Sequence, residues 1–318
     1  MTALESVPRR EVTPQARRQH RKQMLTVLAF MSPWILGFLI FTLYPMISSL
    51  YFSFTRYDLL GKPKWVGLHN YQFMFTQDVD FWLSVRNTLW IVVVAIPIRV
   101  VFAILTAMLL VRANKAIKIY RTMFFLPSIA PAVAASLAFV FLLNPVYGPV
   151  NQLLSKLGVA NPPLWFQDPN WSKPGLVLLG LWGIGDTMII FLAGLLDVPR
   201  QLYEAADIEG AGGWQKFRYI TLPMISPVIF FSVITGIIGS FQYFTEAFVT
   251  SSQVGGLGAP EGSLLFYATH LYDQGFQSFR MGYASALAWV LLVVTLIFTL
   301  LIFRGSKRFV FYQGGMFR

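Results

Sequence analysis

The sequence predicts an all-α integral membrane protein with six transmembrane helices, and three observations carry that reading. Of 318 residues, 56% are hydrophobic and 12% charged, with a mean hydropathy of +0.59, whereas a soluble domain carries roughly 25% charged residues. Six apolar runs reach the ~20 residues that a helix needs to cross a bilayer. None of them alternates as the ~10-residue strands of a membrane barrel do. Finally, Lys and Arg are divided unequally between alternate connecting segments, as they are across a cytoplasmic membrane.

The spans are expected at residues 24–51, 87–111, 123–143, 175–196, 222–249 and 282–303. The first follows a polar basic tail, residues 1–23, with Arg9, Arg10, Arg17, Arg18, Arg21 and Lys22. A signal peptide also starts basic, but its apolar core is about 7–15 residues and ends at a small-residue cleavage site. Here the run is longer and holds Trp34, Phe38, Phe41 and Tyr44, so an uncleaved cytoplasmic tail is expected. Pro33 and Pro45 can bend the first span and Pro97 the second, because proline removes an internal hydrogen bond and clashes with the preceding turn. The fifth starts near Pro223 and contains Pro227, which points to a kink at its cytoplasmic end. The plan is thus a tail (1–23), a six-helix domain (24–304) with a cytoplasmic loop at 197–222, and a basic tail (305–318).

Basic residues set the orientation. Seventeen Lys and Arg fall in the tail 1–23, the segment 112–121, the loop around Glu204 and the C-terminal tail; seven fall in the three other loops. Both termini and the Glu204 loop are therefore expected to be cytoplasmic. The net charge of +11 is a topology signal and calls for no nucleic-acid partner, although the basic tail suits anionic lipid headgroups. The outer loops are rich in aromatic and turn residues, such as Trp65, Tyr71 and Trp165, which suit either an outer partner or headgroup anchoring.

The absence of cysteine removes disulfides and thiolate sites. The three histidines, His20, His69 and His270, have no ligand spacing. There is no Gly-x-x-x-x-Gly-Lys-[Ser/Thr] phosphate loop and no catalytic signature, so no enzyme activity and no bound cofactor are expected of this chain.

One charged, helix-forming island interrupts the apolar pattern: Glu204-Ala205-Ala206-Asp207-Ile208-Glu209-Gly210-Ala211, continuing to Phe217, Ile220, Leu222 and Pro223. Good helix formers run to Ile208. Gly210, Gly212 and Gly213 then permit a reversal. Trp214–Tyr219 is long enough for a second short helix, and Pro223 suits the start of the next long one. This pattern resembles the EAA loop of permease subunits of binding-protein-dependent ABC importers, most closely the sugar-transporting, maltose-permease-like branch. Glu209 stands where that family usually has Asp. The resemblance also covers residues 65–71, Leu126-Pro127, Gly148 with Asn151, and Gly282-Tyr283-Ala284-Ser285-Ala286.

The resemblance implies the ABC importer permease fold and a site in a bacterial or archaeal cytoplasmic membrane. It also implies a set of partners: a second permease subunit, two ATP-binding subunits that carry the ATP and Mg, and an extracytoplasmic solute-binding protein. In such permeases Glu204, Ala205, Ala206, Glu209, Gly210 and Phe217 would couple the membrane domain to the ATPase. A carboxylate such as Glu204 would pair with a basic residue there, Gly210 would allow close approach, and Phe217 would anchor the loop.

Three ionisable residues lie within the spans: Arg99, Asp186 and Glu246. Charge at membrane depth is costly and usually faces a bundle interior or a wet cavity. On an unbroken fifth helix Gly239, Gln242, Tyr243 and Glu246 would share a face, and Trp182, Asp186 and Thr187 would cluster on the fourth. Amides, hydroxyls, a carboxylate and rings suit a sugar. The same groups could instead serve as glue, Arg99 pairing with Asp186 or Glu246, or could meet the sister permease. The function expected from the resemblance is a permease subunit of an ATP-driven importer for carbohydrate, an oligosaccharide, moved by alternating access. A same-architecture permease for glycerol phosphate or a polyamine is the alternative. An ion-coupled secondary transporter is further off, since no internal repeat is visible and the Glu204 island would have no purpose.

Overall fold

A computed structural model describes residues 14–112 and 117–310. Residues 1–13 of the basic tail, residues 113–116 with Lys115, and residues 311–318 lie outside them. The first span is continuous from α1 (Pro14–Phe38) through a wide π turn, Leu39–Leu43, into α2 (Tyr44–Ser53). A hairpin of β1 (Thr55–Arg56) and β2 (Lys64–Trp65) follows, with Thr55 opposite Trp65. Then come α3 (His69–Thr76), α4 (Val79–Trp90), a second π turn at Ile91–Ala95, and α5 (Ile96–Arg112). Each π turn ends just before a proline, Pro45 or Pro97. Widening the turn accommodates the ring and the carbonyl it displaces.

The second span starts earlier than residue 87. The Asp78 carboxylate accepts from Phe81 N at 3.1 Å and caps α4. The polar start of α4 stays helical because Ser84 and Thr88 return their hydroxyls to Phe81 and Ser84 carbonyls, at 2.7 and 2.8 Å.

Three helices, Lys22–Ser53, Val79–Val111 and Met281–Ser306, are long and apolar enough to cross a membrane singly. Three bent pairs also pass the same test of length and composition, which makes six when each pair is counted as one span. The third span is not one helix over 123–143. It is α6 (Ile117–Phe125) with a 3₁₀ turn at Leu126–Ile129, then α7 (Ala132–Leu142), and the two parts meet at 99°. Pro127 and Pro131 supply no N–H and enforce that corner.

An outer helix α8 (Pro149–Lys156) leads to α9 (Pro169–Trp182) and α10 (Gly185–Leu196), which are bent by 54° at Gly183. Then follow α11 (Arg200–Ile208), α12 (Gly213–Lys216), a π turn at Phe217–Thr221, and α13 (Leu222–Met224). A 63° bend separates these from α14 (Ser226–Phe241). The long fifth helix therefore begins at Ser226 with Pro227 in its first turn, and not at Pro223.

That fifth helix also ends early. It stops at Phe241 and the chain restarts as α15 (Thr245–Val254). Short α16 (Tyr267–Tyr272) and α17 (Met281–Phe309) complete the chain.

The main core lies where α5, α10 and α14 pack together, around Ile104, Met188, Phe191, Ile225 and Phe241. α17 packs on α2 and α14. Many large apolar side chains of α1 and α2 stay exposed, as a lipid-facing helix requires.

Glycine is required at the α17 entrance. Gly282 N donates to Tyr57 O at 3.1 Å, and a Cβ there would lie 2.0 Å from Thr55 O. The hairpin is held in turn by Asn70, whose Nδ2 donates to Ser53 O and Thr55 O at 2.8 and 2.9 Å.

Candidate functional site

The Glu204 island forms helix, turn, helix. α11 ends in a paired closure: Ala211 N donates to Ala206 O at 2.8 Å and Gly210 N to Asp207 O at 3.1 Å. Gly210 has φ +77°, the left-handed conformation that this end needs and that glycine adopts at no steric cost. Gln215 Oε1 accepts from Gly212 N at 2.7 Å and starts α12. Lys216 pairs with Asp207 across the turn. The Tyr203 hydroxyl lies 2.8 Å from Thr221 Oγ1, and Tyr203, Phe217 and Ile220 pack on the main core.

The island is thus fastened along one side only. Glu204, Ala205, Glu209 and Gly210 are exposed, with Ala206 and Phe217 half-buried. Glu204 and Glu209 form no ion pair among the described residues. Two residues that the motif did not single out stand out beside them. Ile208 is 89% and Trp214 73% exposed, two large apolar side chains beside the exposed carboxylates.

A cavity of about 430 Å³ opens between α5, α9, α10 and α14 at the α14–α15 break. Gly239, Gln242, Tyr243 and Glu246 all line it, but not as one helical face. Gln242 caps α14, and Phe244, at φ −127° and ψ −62°, turns the chain into α15. The break brings these side chains around a recess where a continuous helix would have set them in a stripe. Aromatic packing holds it: Tyr243 is edge-on to Phe266 at 5.4 Å and Phe244 lies 5.2 Å from Tyr272.

The expected cluster on the fourth span is divided by its bend. Thr187 lines the cavity. Trp182, at the end of α9, packs on Phe139 at 5.7 Å, and Asp186 accepts from Ser128 at 3.4 Å; neither lines the cavity. Arg99 does line it and pairs with neither Asp186 nor Glu246 within 4.0 Å. Ser232, which no sequence signal marked, also lines it, and its buried hydroxyl has no hydrogen-bond partner.

Six crossings, each built from helix, around a polar recess within the bundle define an α-helical membrane transport protein. The chain belongs to the family of binding-protein-dependent transport system inner membrane components, whose model matches residues 87–309. It is 42% identical to the Probable ABC transporter permease protein YesP of Bacillus subtilis over 300 residues, 93% of this chain and 95% of that one. It is 35% identical to the arabinooligosaccharides transport system permease protein AraP of the same organism, over 88% of each chain. Among solved structures, a bacterial alginate ABC transporter in complex with an alginate pentasaccharide-bound periplasmic protein aligns with a TM-score of 0.78 and 25% identity. That alignment covers 91% of this chain and 96% of the other. The chain is therefore a multi-pass permease subunit of an ABC importer, a transport component and not an enzyme.

Proposed function

We propose that the imported solute is a carbohydrate, an oligosaccharide, and that this chain forms one half of its translocation pathway by alternating access. The observation that carries this reading is the recess at the α14–α15 break. Gln242, Thr187, Ser232 and Glu246 offer donors and acceptors of the kind hydroxyls need, and the Tyr243 ring offers a face for sugar C–H groups. The names of AraP and the alginate transporter support it.

In this reading a second permease subunit supplies the other half, and an extracytoplasmic solute-binding protein delivers the sugar. Two ATP-binding subunits hold ATP and Mg. Glu204, Ala205, Ala206, Glu209, Gly210 and Phe217, joined by Ile208 and Trp214, dock the island on an ATPase subunit. Closure of the ATPase pair then moves the membrane halves as rigid bodies. Gly239, Gln242, Tyr243, Glu246 and Thr187 are the substrate-pathway residues. Trp182 and Asp186 support the bends around them.

Uptake by the reconstituted importer tests the pathway: Gln242→Ala raises the KM for the sugar several-fold with the complex intact. An unchanged KM would assign Gln242 to packing or to the sister permease. Coupling is tested separately. Glu204→Arg inserts and assembles normally but loses ATP hydrolysis stimulated by the loaded binding protein, and a normal stimulated rate would refute the docking role.

A further inference from the structure

Arg99 is the charge in the recess that a neutral sugar does not explain. It lies in α5, twelve residues before Val111 at the end of the second span, so at ~1.5 Å per residue it stands about 18 Å inside that end, within a hydrocarbon core of about 30 Å. Its side chain is exposed and borders the cavity. Among the described residues it makes no ion pair and no hydrogen bond to a carboxylate. A guanidinium cannot shed its charge by deprotonating. When the recess closes around a neutral ligand, that charge loses water with no carboxylate within 4.0 Å to pair with it, which is unfavourable.

Two further features favour a negative group at the same place. α15 begins at the cavity wall, with Thr245 and Glu246 lining it, and no side chain caps its first N–H groups. The positive end of that helix faces the recess. Ser232, on α14, lines the same cavity. It is 8% exposed, and its hydroxyl has no partner, although it lies where a ligand oxygen could accept from it. Glu246 also lines the recess. Its carboxylate is not within 4.0 Å of the guanidinium, so it is available to accept from sugar hydroxyls while Arg99 is available to donate two parallel hydrogen bonds to a carboxylate.

We infer that the substrate is an acidic oligosaccharide containing uronic-acid units, and that Arg99 is the specificity residue that receives a sugar carboxylate. This rests on the carbohydrate-import reading above. Glu246 and Gln242 receive hydroxyls of the same ligand, and Ser232 donates to a carboxylate or ring oxygen.

The test is uptake into proteoliposomes by the complete importer, carrying its partner permease, ATPase subunits and binding protein. The probes are a labelled uronic-acid oligosaccharide and the same oligosaccharide with its carboxylates reduced to primary alcohols. The acid form enters at least tenfold faster. Arg99→Gln lowers its uptake at least tenfold, while the partner permease and the ATPase subunits still co-purify with the tagged chain. Arg99→Lys, which keeps the charge but not the fork, loses part of the rate.

Equal uptake of both probes by the wild-type importer overturns the inference, as does full uptake of the acid by Arg99→Gln. If Arg99→Gln fails to assemble, Ser232→Ala decides: a several-fold loss confined to the acid form supports the inference, and no loss overturns it. Entry of neutral or phosphorylated sugars alone overturns the carboxylate assignment and leaves the carbohydrate reading standing. Entry of neither probe, with a non-carbohydrate solute transported instead, refutes the carbohydrate reading itself.

Discussion

His270 Nε2 lies 2.9 Å from Asp78 Oδ2, joining the start of the second span to a helix 192 residues later in the chain. A carboxylate only accepts, so the imidazole donates. The Tyr283 hydroxyl donates to the same oxygen, and Phe81 N donates to the other, Oδ1. His270 and Tyr283 are almost wholly buried. One carboxylate therefore caps α4 and fastens it to α16 and α17.

This arrangement sets the ionisation of Asp78. Burial raises its pKa, but hydrogen bonds from His270 and Tyr283, with the Phe81 amide, outweigh that and hold it at about 2 against an ordinary 3.8. Because the folded value is the lower one, the stabilisation is present above about pH 3.8 and is lost as the pH falls through about 2. Asp78→Asn should cost about 2 kcal/mol near neutral pH, the range of hydrogen bonds to a charged group. Thermal unfolding in detergent should show the gap between wild type and variant closing between pH 4 and pH 2. A gap that stays constant over that window would mean that the carboxylate's charge contributes nothing.

Asn87 makes a second long-range tie. Its Nδ2 donates to Gly262 O at 2.8 Å and Leu265 O at 2.9 Å, both across more than 170 residues. Asn87→Leu has a similar volume but leaves Leu265 O without a donor, while Gly262 O keeps Leu265 N at 3.1 Å. A loss of roughly 1–3 kcal/mol is expected, the cost of one unsatisfied buried group. The check is the unfolding midpoint; a shift no larger than that of an exposed control such as Gln201→Leu would show that water replaces the amide.

Two glycines should respond oppositely to alanine. At Gly282 the new Cβ would meet Thr55 O at 2.0 Å, and that atom is backbone. Gly282→Ala must move α17 away from the hairpin, and a loss of 3 kcal/mol or more, or failure to accumulate, is expected. At Gly239 nothing lies within 4 Å of the built Cβ, and alanine is the better helix former by about 1 kcal/mol. Gly239→Ala should leave stability equal or higher. If it lowers uptake all the same, the methyl group acts by narrowing the recess.

The sequence made the spans and the Glu204 island legible for different reasons. Span length is dictated by the bilayer and appears as a run of apolar residues whatever the tertiary contacts. The island is legible because a charged helix, a glycine closure and a proline follow one another within twenty residues, each with a local purpose. The break after Phe241 was not legible. Residues 241–246, Phe-Gln-Tyr-Phe-Thr-Glu, contain no glycine or proline. The chain departs from helix there because Tyr243 and Phe244 find aromatic partners, Phe266 and Tyr272, more than twenty residues away. Local propensity is weak against such packing. The cap at Asp78 was missed because the polar residues after it looked like loop, and only their burial against distant carbonyls reveals them as helix. The corner at Pro127 and Pro131 was within reach of the sequence, since two prolines four residues apart cannot both sit inside one regular helix.

The exposed apolar pair on the island separates docking from folding. Ile208 and Trp214 are among the most exposed large side chains of the described residues, while Lys216 and Asp207 tie the same turn together by an exposed ion pair. An exposed pair of this kind contributes about 0–1 kcal/mol, so Asp207→Asn should leave both stability and coupling near wild type. Ile208→Asp removes no buried contact and should likewise leave the unfolding midpoint unchanged. It places a charge where an apolar partner surface would have to close over it, however, and recovery of the ATPase with the tagged chain should fall at least tenfold. Equal recovery from Ile208→Asp and Asp207→Asn membranes would show that the apolar face of α11 is not part of the docking surface, and the exposed carboxylates Glu204 and Glu209 would then have to carry it alone.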